Sequence, residues 1–158
     1  LQPESKLLTI VLMFIGGSPG STAGGVKTTS IAVILIYVIS NLLGENGCNV
    51  FHRRIGDEVI KKASMVFCLN LFLGLMSVTL ILATSNLRMS DVLFEVYSAI
   101  STVGMTTGIT RDLNVVGRIV IIILMYCGRI GSMTFALSFV AKPEMKGLSL
   151  PEEKITIG

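Results

Sequence analysis

SPGSTAGG, residues 18–25, and TVGMTTGI, residues 102–109, read as two copies of one loop, and the fold follows from what flanks each copy. Set one above the other, Gly20 falls on Gly104, Thr22 on Thr106 and Gly24 on Gly108. Each copy follows an apolar segment of about ten residues, 7–17 and 92–101, and precedes a basic residue, Lys27 or Arg111, and then a long apolar run. A helix needs about 20 residues to cross bilayer hydrocarbon. The short segments therefore enter and turn back, whereas runs 23–43, 63–83 and 115–141 are long enough to span. The repeated unit is half-helix, loop, span, and internal repeats of this kind mark transport proteins.

Composition points the same way. Of 158 residues, 51% are hydrophobic and only 15% charged, and the mean hydropathy is +0.77, far from soluble averages. A net charge of +3 is too small to argue for nucleic acid. Arg53, Arg54, Lys61 and Lys62 cluster between the first and second runs, which puts that connector in the cytoplasm and the glycine loops on the outer side. Cys48, Cys68 and Cys127 are odd in number and lack C-x-x-C spacing, so they read as small buried apolar residues. His52, the only histidine, sits beside Arg53 and Arg54 in a solvated or headgroup-facing place, with no partner for a hydrolytic or metal centre. The opening LQPESK has neither a basic n-region nor a starting methionine, so no cleavable signal is expected and the chain reads as a piece of a longer polypeptide.

The half-helices have an electrostatic task. Glu4 and Ser5 in one copy, and Ser90 and Asp91 in the other, suit a helix N-terminus near the outer surface. The C-terminal carbonyls then point into the membrane and favour a cation at mid-depth. Irregular backbone at that depth must line water or be buried in protein. A loop with a central glycine turns successive carbonyls inward to replace the water shell of K⁺. Ser18, Pro19, Gly20 and Ser21 in one copy and Thr102, Val103, Gly104 and Met105 in the other thus read as a selectivity filter, with potassium its only metal.

A rival reading takes residues 20–28 as a phosphate cradle in a membrane-anchored nucleotide-binding protein. G-x-x-x-x-G-K-[ST] requires the lysine directly after the glycine. Here Val26 separates Gly25 from Lys27, no apolar run ending in a carboxylate supplies magnesium, and the second copy lacks the lysine–threonine pair.

GGSPGSTAGGVKTT, STVGMTTGIT and CGRIGSMT together resemble the Trk/Ktr/HKT superfamily of potassium transporters, nearest the bacterial KtrB type. The resemblance implies an all-α membrane protein, part of a four-repeat K⁺-channel-like architecture, with one and a half repeats present. Residues 1–43 resemble the pore helix, filter and second span of the third repeat; 44–57 a gate-like loop and cytoplasmic connector; 58–141 a complete fourth repeat; 142–158 a cytoplasmic tail. It implies potassium transport in a bacterial plasma membrane, no enzyme activity and no cofactor, with Na⁺ coupling as an added expectation. Implied partners are the remaining repeats of the same polypeptide, a second pore subunit, a cytoplasmic nucleotide-binding regulatory ring and membrane lipid.

Arg129 lies 14 residues after Val115 and 12 before Ala141, deep in the last run, so it must face protein or water. By resemblance it projects into the conduction path below the filter as a barrier or latch, with Gly44, Glu45, Asn46 and Gly47 forming a flexible gate against it. GENGC on its own reads equally as a cytoplasmic turn. Glu95 reads as a filter prop bonded to neighbouring backbone, in preference to a source of cation field. Asn70 reads as an interhelical hydrogen-bonding residue, and Gly128, Gly131 and Ser132 as points of close helix contact. Residues 51–60 form a mixed basic and apolar segment suited to the inner membrane surface or a cytoplasmic partner.

Overall fold

A computed structural model describes residues 2–43, 49–50 and 53–131. The described residues form five α-helices in the order α1 (Pro3–Phe14), α2 (Thr28–Leu42), α3 (Asp57–Thr84), α4 (Met89–Ile100) and α5 (Val115–Ile130). A 3₁₀ turn, Ile109–Arg111, precedes α5. Between α2 and α3, β1 (Asn49–Val50) and β2 (Arg53–Arg54) pair antiparallel for two residues each.

The half-helices α1 and α4 have 12 residues each, about 18 Å, too short to cross roughly 30 Å of hydrocarbon. Pro3 opens α1, where a missing N–H costs nothing, and Glu4 and Asp91 lie in the first turns of α1 and α4. These carboxylates act on the helix dipole from the first turn; the N-cap positions are Gln2 and Arg88, neither with a side-chain cap. Among the described residues α3 is the one helix long and apolar enough to cross a membrane, with 28 residues and a mean hydropathy of 2.3 over its most apolar window. Asn114 caps α5, its side-chain oxygen accepting from the Gly117 amide at 2.8 Å.

The runs read from hydropathy shift at their ends. α2 begins at Thr28 because residues 23–27 belong to the first loop, and α3 is longer than the run 63–83 at both ends. The described part of α5 stops at Ile130, where Gly131 takes φ 97 and its N–H returns to the Cys127 carbonyl at 3.1 Å. Its positive φ with ψ 125 takes Gly131 out of the helical conformation, which glycine does at little cost, so α5 ends there among the described residues. The expectations for Gly44, Glu45, Asn46, Gly47, Cys48, His52, Ser132 and the tail 142–158 lie outside the described residues.

The core forms around α4. Val92, Val96, Ala99 and Ile100 pack with Val78 and Ile81 of α3, and with Leu113, Ile121 and Leu124 at and within α5. A second cluster joins Met13 of α1 to Phe94 and Tyr97 of α4, and the Phe14 ring meets Phe67 and Tyr97 edge-on at 5.4 and 5.6 Å. Every residue from Phe94 to Ile100 is buried, so this short helix is enclosed on all sides. The outer helices are the reverse: Leu7, Leu12, Leu35, Leu42, Phe72 and Ile122 are each more than half exposed. Apolar side chains cover the outside of the bundle, as a hydrocarbon surrounding or further protein segments require.

Candidate functional site

The two loops share a backbone feature at their aligned centres. Gly20 takes φ 84 and Gly104 φ 79, and a Cβ added to either would meet no atom within 4 Å. Ser18 to Ser21 and Val103 to Met105 are exposed, so both strips of loop face open space. The correspondence slips at the second glycine, because positive φ falls on Gly25 (74) and Gly108 (101) and not on the aligned Gly24. Gly24 is there for another reason: a Cβ would lie 2.5 Å from the Ile100 carbonyl oxygen and 2.9 Å from that of Gly128.

The loops are bonded to each other. The Gly24 amide donates to the Ser101 carbonyl at 3.2 Å and to the Thr102 hydroxyl at 2.9 Å. Thr102 holds φ 55, a left-handed conformation that costs a non-glycine residue about 1–2 kcal/mol, and its hydroxyl bond to Gly24 offsets part of that. At the start of the same loop Ser101, 2% exposed, donates its hydroxyl to the Met13 carbonyl in the last turn of α1 at 2.5 Å. At the opposite ends Lys6 and Asp91 form an ion pair at 2.6 Å. The half-helices therefore run parallel, with both C-terminal carbonyl ends at the loops and their partial negative charge concentrated there. Gly128 of α5 closes the cluster; a Cβ at that position would sit 2.1 Å from the Ile100 oxygen.

Glu95 supports the second loop from behind. Its Oε2 accepts from Thr106 Oγ1 at 2.9 Å and its Oε1 accepts from Thr110 Oγ1. The Gly108 amide donates to Thr106 Oγ1 at 2.9 Å, so the carboxylate holds the loop through threonine hydroxyls, where the sequence led to an expectation of backbone partners. One turn along α4, Ser98 donates its hydroxyl to the Met105 carbonyl at 2.5 Å and accepts the Val103 amide at its own carbonyl at 3.0 Å. Asn70 is buried in α3 and donates Nδ2 to the Val66 carbonyl of the same helix at 2.8 Å.

Two cations lie against the first loop. Lys27 Nζ donates to the Ser21 carbonyl at 3.1 Å and to the Ala23 carbonyl at 2.5 Å, and Arg129 Nη1 donates to the intervening Thr22 carbonyl at 3.1 Å. With Gly24, Gly25, Gly128 and Gly131 they line a cleft of about 430 Å³. Arg129 stands in the last turn of α5, where the helix dipole favours a cation; Lys27 is the N-cap of α2, where the dipole opposes one. A lysine in that place needs compensating acceptors, and the loop carbonyls provide them.

These bonds remove the basis of a phosphate cradle. Such a cradle presents free amides and a lysine aimed at the anion. Here the amides of Ser21, Gly24, Val26 and Thr28 donate to Ser18, Ser101, Phe14 and Gly17 carbonyls, and the lysine faces carbonyl oxygens. Sequence reading named Lys27 as the basic residue after the first loop and as a failed phosphate ligand, without the carbonyls it bonds, and it missed Ser101 and the approach of Gly24 and Gly128 to Ile100. The glycines were a visible signal for close approach; which carbonyl they approach was not.

The family described as TrkH, cation transport protein, matches residues 1–148. The chain is 37% identical over 158 residues to a potassium/sodium uptake protein, NtpJ, of Enterococcus hirae, covering 96% of this chain and 35% of that protein. It is 38% identical over 152 residues to the Ktr system potassium uptake protein B of Bacillus subtilis, covering 96% of this chain and 34% of the relative. The Ktr system potassium uptake protein D of the same organism is 35% identical over 158 residues, 100% of this chain and 35% of that protein. The chain thus spans about a third of the length of these curated relatives.

Proposed function

The chain belongs to the TrkH family of cation transport proteins, whose matched relatives are transporters and not enzymes, and from that premise we propose that it contributes two of the loops lining the pore of a multi-pass potassium uptake protein. Carbonyls of Ser18, Pro19, Gly20 and Ser21, and of Thr102, Val103, Gly104 and Met105, face the ion path and replace part of the water shell of K⁺. One observation carries the reading. Gly20 and Gly104 hold the same left-handed conformation with open space beside them, each in a loop that leaves the carbonyl end of a 12-residue half-helix.

The parallel half-helices support it electrostatically, since two C-terminal ends at one place stabilise a cation in a low-dielectric surrounding. The remaining filter loops come from other repeats of the same polypeptide, whose four-repeat plan closes the pore around the exposed faces of residues 18–21 and 103–105. Arg129, bonded to the first loop, serves as the fixed charge below the filter, and Gly44, Glu45, Asn46 and Gly47 as the movable segment against it. A second pore subunit, a nucleotide-binding regulatory ring and coupling to Na⁺ complete the proposal; the named uptake of both ions by the Enterococcus relative supports a place for sodium.

The test is growth of potassium-uptake-deficient bacteria at low potassium with the complete parent chain and with Gly104→Ser. Rescue by the parent that Gly104→Ser abolishes supports the reading; equal rescue by both contradicts it.

A further inference from the structure

We propose that the Lys27 ammonium is a tethered counter-cation filling a site built from the first loop's own carbonyls, so that this stretch of loop is closed to a permeating ion until the lysine is removed. The inference rests on reading the loops as a filter and revises that reading at one point, giving the Ser21 carbonyl to Lys27 in place of K⁺ and leaving Ser18, Pro19 and Gly20 of this loop to the ion.

Lysine ends in a compact single positive charge with three donors and no acceptor, which is the demand a monovalent cation places on a ring of carbonyls. Its Nζ takes the oxygens of Ser21 and Ala23, residues on either side of Thr22, whose own oxygen takes Arg129. Three successive carbonyls beyond the filter glycine are thus neutralised by covalently attached cations. The second loop is built differently at the same depth. Its Met105 carbonyl accepts a neutral hydroxyl, that of Ser98, and the carboxylate of Glu95 stands behind it. The two halves of the site therefore present unequal fields to an ion, weaker beside residues 21–23 and stronger beside residues 103–105. The placement of Lys27 at the N-cap of α2, against the helix dipole, argues that the charge itself is held there for a purpose beyond helix formation.

Removing the charge while keeping the side-chain volume leaves the Ser21 and Ala23 oxygens without their donor and creates a vacancy suited to K⁺. Lys27→Met does this, and Lys27→Arg restores a donor.

The experiment locates Tl⁺, a heavy K⁺ substitute, by anomalous scattering in crystals of the complete transporter, wild type and both variants, alongside K⁺ uptake kinetics. Wild type shows Tl⁺ beside Gly20 and Gly104 and none on the Ser21 and Ala23 oxygens. Lys27→Met gains a peak there, with an apparent KM for K⁺ lowered about threefold or more and a reduced maximal rate, since an added resting site binds an ion without helping it leave. Lys27→Arg returns the wild-type pattern. A merely structural lysine would lower uptake without lowering KM. A Tl⁺ peak on the Ser21 and Ala23 oxygens in wild type, or its absence in a folded Lys27→Met with density beside Gly20 and Gly104 intact, overturns the inference. Absence of any density beside Gly20 and Gly104 in wild type overturns the filter reading instead. Should Lys27→Met not fold, Lys27→Leu, which also lacks a donor, takes its place, and the wild-type crystal decides by itself whether the carbonyls hold the lysine or an ion.

Discussion

The hydroxyl of Ser101 lies 2.5 Å from the carbonyl oxygen of Met13, 88 residues away, and joins the C-terminal end of one half-helix to that of the other. The last carbonyls of a helix have no partner within it, and a buried one left unpaired costs about 1–3 kcal/mol. Ser101→Ala in the complete transporter should therefore lower its thermal midpoint in detergent by the equivalent of about 1–2 kcal/mol. An unchanged midpoint would mean that the two ends are held together by other contacts.

Glycines near this junction should respond unequally. Gly128→Ala and Gly24→Ala place a methyl 2.1 and 2.5 Å from the Ile100 oxygen, where only backbone can give way. Each should cost about 3 kcal/mol and sharply reduce the fraction of monodisperse protein recovered on size exclusion. Gly20→Ala meets open space and bears only the strain of a left-handed residue, about 1–2 kcal/mol, so it should fold. Equal yields for all three would contradict the close packing of α4, α5 and the first loop.

Glu95 separates charge from support. As a support for Thr106 and Thr110 it is partly replaced by glutamine, whose amide oxygen still accepts one hydroxyl, and is not replaced by alanine. Glu95→Ala should lower the K⁺ to Na⁺ uptake ratio roughly tenfold, the equivalent of about 1.4 kcal/mol, with Glu95→Gln between it and wild type. Equal loss in both variants would assign the effect to the negative charge.

Lys6 and Asp91, with side chains 22% and 14% exposed, pin the opposite ends of the half-helices. A double-mutant cycle of Lys6→Ala and Asp91→Ala on thermal stability should give a coupling of about 1 kcal/mol that shrinks as salt is raised. Strict additivity would show that the pair contributes nothing to the alignment.

Much of this arrangement was legible before any coordinates. Half-length apolar segments announced α1 and α4, and the aligned Gly20 and Gly104 share their conformation because the loop needs a left-handed residue at that point. Helix limits were less legible. Hydropathy carries no mark of the positive φ at Gly131, where the described part of α5 ends, and residues 23–27 counted as span although they belong to the first loop. The second glycine pair misled for a related reason: Gly24 and Gly108 match in letter, but one is required by a neighbour's approach and the other by its own φ. The partners of Lys27 were the largest omission, since a long flexible side chain shows them only once the loop is folded beneath it.

The central claim is that both glycine loops face one ion path, and the K⁺ to Na⁺ uptake ratio of the complete transporter in vesicles tests it most directly. With wild type, Gly20→Ser and Gly104→Ser measured side by side, the account predicts that each serine lowers the ratio, because each loop supplies carbonyls to the same ion. A ratio unmoved by both substitutions, or moved by Gly104→Ser alone, would contradict it.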